Sequence, residues 1–242
     1  MATKGSFGYK IGRKVRLMHV NCHANYLWQI CVREIYVLMK HYGSIESLKQ
    51  AFEKLTDAKG NPKPKDIEKC RIFTDVKSAN ENLSDWCHLT KYCQHSFMNI
   101  LESGYILNNG KDEGLVFIID FNTSSVSLYT RENEKNIKEH QNVKIEEIME
   151  FDDMPTKTLN EIMDFTKERY NNFYTNFEKI NEEIKKIEEI LYKSKQINDH
   201  NIMSKAQKLW DDMDYERKKL ELEYRCFYYR LDALNLIDYS DN

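Results

Sequence analysis

Three prolines and eight glycines in 242 residues leave the chain little punctuation. That scarcity argues against a turn-rich all-β sandwich and favours helix. No window of about 20 apolar residues occurs, so no membrane span is expected. The first apolar run begins near Val15, behind basic residues, and is broken by Arg16 and His19, so no secretory leader is expected either. Catalytic signatures are equally scarce. GSFGYK (5–10) opens like a kinase glycine loop but lacks the third glycine, and no HRD or DFG follows. P-loop, dinucleotide-binding glycine, Gly-x-Ser-x-Gly and His-Glu-x-x-His patterns are all missing, and no cofactor is expected. Acidic charge is missing from one place. Residues 1–33 hold Lys4, Lys10, Arg13, Lys14, Arg16 and Arg33, and the first carboxylate is Glu34. The net charge of −3 therefore divides into +6 before Glu34 and −9 from Glu34 onward.

What is present points to an α+β head followed by a long C-terminal antiparallel helical hairpin. Residues 1–13, with their glycines and lysines, read as a flexible basic arm. KVRLMHV (14–20) reads as a strand, and Asn21 as the cap of an apolar helix reaching about Tyr42, with Gly43 past its end. Ser44 caps a shorter helix carrying Ile45, Leu48, Phe52 and Leu55. TDAKGNPKPKD (56–66) reads as a loop, RIFT (71–74) as a short strand, and a third helix is expected from Ser84 to about Ser103. GLVFIIDFN (114–122) and SVSLYTR (125–131) form a hairpin pattern. NVKIEEIMEF (142–151) is either a further strand or a strand entering a helix. The head is expected over 14–154, the hairpin over 155–237 and a short tail over 238–242.

The hairpin rests on periodicity. Thr158 and Glu161 make a capping box. Met163, Thr166, Tyr170, Phe173, Phe177, Ile180, Ile184, Ile187 and Leu191 then alternate spacings of three and four, the seam of a left-handed helix pair. After SKQINDHN (194–201), Ala206, Met213, Leu220, Phe227 and Leu234 recur every seven residues, with Leu209, Tyr224 and Leu231 beside them. Tyr170, Tyr174, Phe177, Tyr224, Tyr228 and Tyr229 are more aromatic surface than one two-helix seam buries, so either the head or another chain, a protein partner or a second copy, is expected to cover the remainder.

Three further clusters carry chemistry. Cys22, at the turn from strand to helix, would gain thiolate character from helix N–H groups. In outline this resembles the papain-type cysteine hydrolases, with Trp28 further along the helix, although their Gly-Ser-Cys-Trp run is absent. His23 follows Cys22 directly and points elsewhere on a helix, so a base would come from His95, His140 or His88, with Asp120 as orienter. His19, Cys22, Cys87 and His88 are the candidate zinc ligands, without a Cys-x-x-Cys clamp between them. Lys4, Phe7, Tyr9, Lys10, Arg13, Lys14 and Arg16 interleave cations with aromatics, the pattern that neutralises phosphates and stacks on bases. Six cysteines without a leader imply reduced thiols and a cytoplasmic setting, a host cell's if the chain is viral. The weight of missing catalytic motifs favours a non-enzymatic adaptor, inhibitor or assembly component, with a Cys22 hydrolase as the alternative.

Overall fold

The computed structural model describes residues 3–21, 23–74, 85–94, 96–133, 135–223 and 234. The fold is α+β, with a mixed sheet and its helices in a head and a long helix pair packed together after it. Chain contacts divide it into two compact units, with the boundary between Ile162 and Met163.

In the head, β1 (Gly5–Ile11) and β2 (Lys14–Val20) form an antiparallel hairpin across a two-residue turn. Gly12 opens that turn at φ 59, a left-handed backbone that favours glycine. Strands β5 (Gly114–Asp120), β6 (Ser125–Asn133) and β7 (Asn136–Lys144) complete a sheet of order β2-β1-β5-β6-β7. Only the β1–β5 pair is parallel. β3 (Thr56–Asp57) and β4 (Tyr105–Ile106) make a separate two-stranded parallel pair. The N-terminal stretch expected as a flexible arm is thus an interior strand. Its alternation puts Phe7 and Tyr9 on one face and Ser6, Gly8 and Lys10 on the other. Gly8 is there for closeness, because a Cβ would stand 1.9 Å from the carbonyl oxygen of Arg16.

Register places Phe7, Phe117 and Leu128 side by side on three neighbouring strands. Helices α1 (Leu27–Tyr42), α2 (Ile45–Glu53) and α5 (Phe97–Ser103) cover this face. Phe97 lies 4.9 Å from Phe7 and 6.0 Å from Phe117 between ring centroids, and Phe52 lies 4.8 Å from Tyr9. The exposed edge of β2 is closed by a loop: Asn108 and Asn109 side chains accept from Leu17 and His19 N–H, and Gly110 N–H donates to Leu17. Covering an edge strand removes a template for stray pairing.

Several local expectations change. The first helix begins at Leu27, after a single 3-10 turn at Ala24–Tyr26, so Asn21 does not cap it. The expected 71–74 strand is a 3-10 turn, Arg71–Phe73, that follows α3 (Pro64–Cys70). Pro64 at the start of α3 shows why the 56–66 stretch is not all loop: proline suits the first helical position. The expected third helix is broken into α4 (Trp86–Leu89), a 3-10 turn (Lys91–Cys93) and α5. The break is stabilised from α1. Glu34 is fully buried, and its carboxylate accepts from Ser96 Oγ and Phe97 N–H, both at 2.6 Å. β7 starts six residues before the expected strand and leads into α6 (Ile145–Ile148), in line with the strand-entering-helix alternative.

Replacing Glu34 with alanine leaves two buried donors without their acceptor, and we expect a loss of about 2–3 kcal/mol. Urea denaturation monitored by tryptophan fluorescence measures it. A change within the roughly 0.5 kcal/mol typical of surface substitutions would show that the carboxylate does not hold this junction.

Candidate protein-binding surface

The basic N-terminal residues do not form one surface. Phe7 and Tyr9 are core residues and present no ring to a base. Arg16 is buried too: its guanidinium donates to Tyr9 OH and Leu55 O at 2.8 Å and lies 3.0 Å from Asp57. Burial pushes the Tyr9 phenol above its ordinary pKa, against the opposing pull of Arg16. Lys10 pairs with Asp120 at 2.8 Å. Lys4, Arg13 and Lys14 remain exposed, but β1 separates Lys4 from the other two by roughly 20 Å of strand. On β1 the pleat sends Lys10 to the face opposite Phe7 and Tyr9, while across on β2 Arg16 pairs with Tyr9 and is buried beside it.

Cys22 and His95 lie outside the described residues, but their neighbours are informative. Asn21 Nδ2 donates to Gln94 Oε1 at 3.2 Å, which joins the end of β2 to the stretch before α5. The other candidates stand elsewhere. Asp120 sits at the far end of β5, where Lys10 and the Asn122 N–H hold it. His140, on β7, bonds Thr130 of the neighbouring β6, and β7 is the opposite edge strand from β2, roughly 19 Å across the sheet. α1 starts at Leu27, so the first helical turn expected beside Cys22 lies five residues further along the chain. Of the zinc candidates, His19 is half-buried on β2, Cys87 is exposed, and His88 stands 3.9 Å from Asp85. Burial, with Asp85 beside it, raises the Cys87 thiol pKa. Among the described residues no three His, Cys, Asp or Glu side chains come together as a metal site.

The hairpin consists of α7 (Leu159–Gln196) and α8 (His200–Glu223). Its start is the expected capping box: Glu161 Oε2 accepts from Thr158 N–H at 2.7 Å, and Thr158 Oγ1 accepts from Glu161 N–H at 3.3 Å. The Thr158 N–H and the Thr158 hydroxyl, both donating to Glu161 Oε2, hold the Glu161 carboxyl below its usual pKa. Every seam position from Met163 to Leu191 is buried or half-buried, and Ser194 continues the repeat. Tyr170 and Phe177 therefore belong to the seam, and Tyr174 stacks on Tyr170 at 6.0 Å, so these are not free anchors. Tyr224, Tyr228 and Tyr229 lie outside the described residues. On α8 the seam runs through Met203, Ala206, Trp210, Met213, Arg217 and Leu220, all buried or half-buried. Leu209, expected beside the seam, is 54% exposed.

The exposed aliphatics of the distal half form a pattern. Ile190 precedes a seam position on α7 by one residue, and Ile202 and Leu209 do so on α8; Ile197 lies one residue past the end of α7, where its N–H still donates to Lys193 O in the helical pattern. One residue back is about 100° round a helix. Because the helices run antiparallel, that turn reaches the same side of the pair from both. Trp210 Nε1 donates to Glu188 Oε1 at 3.3 Å, and Ile180 and Leu220 line a common cleft, which sets the register. In that register Ile197 falls opposite Ile202, Ile190 opposite Leu209, and Glu183 opposite Glu216. The four aliphatics are 69%, 42%, 47% and 54% exposed in that order. The opposite edge of the seam is polar there, with Asn181, Glu188, Lys195, Gln207 and Asp214. The seven-residue spacings of Ile190 to Ile197 and Ile202 to Leu209 were visible in the sequence, but they were hidden by the larger aromatic repeat next to them.

Compared with known proteins, the chain matches no family model, no curated protein and no solved structure. Among the described residues no helix is long and apolar enough to cross a membrane.

Seam and edge are distinguishable by stability. Phe177→Ala should destabilise the hairpin by about 3 kcal/mol or more, while Leu209→Ser should stay within about 0.5 kcal/mol. Urea titration of the helical circular dichroism signal reads both. Equal losses would place Leu209 in the seam.

Proposed function

We propose that this chain is a non-enzymatic binding protein, an adaptor, inhibitor or assembly component, that engages a protein partner through its helical hairpin. The observation that supports it is the pair of aliphatic rungs on one edge of an otherwise well-zipped helix pair. Single exposed apolar side chains are ordinary, but contiguous ones bordered by polar residues mark interaction sites. A long hairpin also projects such an edge where another helix can lie along it.

The test is a photo-crosslinking amino acid placed in the full chain at Ile202, at Tyr192 on the hairpin's outer face, or at Ile137 on β7. All three side chains are well exposed. In cells of the chain's own source, discrete adducts with another protein are expected from the hairpin positions. Adducts from Ile137 alone would move binding to the head, and none from any position would remove the binding reading.

A second reading, the Cys22 thiol hydrolase, is supported by one contact, the Asn21–Gln94 hydrogen bond between residues adjoining Cys22 and His95. If the two side chains act as a nucleophile and base, alkylation of Cys22 should persist below pH 7, far under an ordinary thiol's pKa of about 8.5, and His95→Ala should abolish that persistence. Ordinary thiol titration in both proteins would dismiss it.

A further inference from the structure

We infer that the distal edge of the hairpin, Ile190, Ile197, Ile202 and Leu209, docks an acidic amphipathic helix of a partner protein. This rests on the hairpin-binding reading and specifies its chemistry.

The occupant follows from the charges beside the rungs. Three residues beyond a given position is one step further round the same side of a helix. Three beyond Ile190 is Lys193 and three beyond Ile202 is Lys205, both exposed. The aliphatic rungs therefore lie between two lysines, one on each helix. A helix laid along the edge places its apolar stripe on the rungs and its flanking positions over Lys193 and Lys205. Carboxylates there gain two opposite charges; lysines there meet like charges. Asp212, three beyond Leu209, weakens the positive flank at its inner end. Below the aliphatic rungs the pattern stops at Glu183 and Glu216, with Lys186 bonded to Glu183 at 2.8 Å. The site is therefore two rungs long, about 10.5 Å between rungs, and fits roughly two to three turns of helix.

A second copy of the chain suits this edge poorly. Side by side in parallel, two copies would bring four carboxylates, Glu183 and Glu216 of each, into one layer. Tip to tip, they would bring Lys193 and Lys205 of one copy towards those of the other. Area argues the same way: a standard stable interface buries about 800 Å² per partner, and four aliphatic side chains supply only on the order of half that.

The probe is a fluorescent helical peptide of three heptads, leucine at the seam positions and glutamate at the flanks, titrated into the full chain by anisotropy. Its twin carries lysine at the flanks. The glutamate peptide should bind at least ten-fold more tightly than the twin. Ile197→Ser with Leu209→Ser should remove that binding, and Lys193→Glu with Lys205→Glu should reverse the preference. All four side chains are exposed, so unchanged circular dichroism verifies the fold. Equal binding of the two peptides, binding indifferent to the serine variant, or no binding would overturn the proposal. Sedimentation showing self-association that the serine variant abolishes would assign the edge to a second copy and overturn it too. Adducts from Tyr192 together with peptide failure would leave hairpin binding standing and remove only the acidic helix.

Discussion

A buried carboxylate organises the head. Glu34 lies on the sheet-facing side of α1 with no solvent exposure, and an isolated charge there would be strongly unfavourable. It is tolerated because the start of α5 supplies donors, Ser96 Oγ and Phe97 N–H, both at short distance. The dependence runs both ways. The α5 terminus needs an acceptor for its unpaired N–H groups, and α1 brings one from 62 residues away in the chain. Once α1 and α5 are joined, Phe97 is held against Phe7 and Phe117, and those rings are where β1 and β5 pair. The helices, the parallel strand pair and the stretch that holds Gln94 are thus linked through one side chain. A second buried polar network, around Arg16, ties the β1–β2 hairpin to the end of α2 and to Asp57 in the same manner.

The hairpin obeys a different rule. Its stability comes from a repeat, in which each seam residue is replaced by an equivalent one seven positions on, so no single contact dominates. The useful information lies in departures from the repeat. A seam needs aliphatics or aromatics only where the helices meet; residues one step out need only be soluble. On the edge with Asn176, Glu183 and Glu216 that expectation holds, and towards the tip it fails at four consecutive positions. Since intramolecular packing gains little from side chains that are 42% to 69% exposed, helix propensity is the remaining internal reason for them. Ile is a poorer helix former than Lys, Glu or Gln, so propensity does not favour it at Ile190 or Ile202. A contact outside the chain is the reason we propose for them.

Legibility in the sequence followed the kind of force involved. Periodic burial was readable: the seam from Met163 to Leu191, the capping box at Thr158, the β5–β6 hairpin and the helix ending at Gly43 all follow from local spacing. Features that depend on tertiary partners were not. The strand at Gly5–Ile11 looked like an arm because its outward face is Ser, Gly and Lys, and its glycine is needed only because the Arg16 carbonyl comes so close. The broken helix before Ser103 could not be foreseen without Glu34 arriving from α1. Arg16 counted as a surface cation until Tyr9, Leu55 and Asp57 surrounded it. On α8, the seven-residue repeat holds at Ala206, Met213 and Leu220, with Phe227 and Leu231 outside the described residues, but the intervening seam positions are Trp210 and Arg217 rather than Leu209, because an amphipathic residue can bury its stem in a seam while its polar end reaches the rim.

That last substitution bears on function. A tryptophan at position 210 fills the seam and still bonds Glu188, leaving the neighbouring leucine turned outward. Had Leu209 taken the seam, Trp210 would face solvent on the polar side and the apolar edge would be a single rung. The rotational setting of α8 that puts Trp210 in the seam therefore turns Leu209 outward, where in this register it makes the second rung with Ile190. The edge is a consequence of how the seam is filled, and it lies on the same side as Lys193 and Lys205. An isolated hydrophobic edge would favour any apolar surface, including its own copy. In the docking we propose, two lysines astride it would convert a general tendency to associate into a preference for one sign of charge, which is how a short contact of modest area becomes selective.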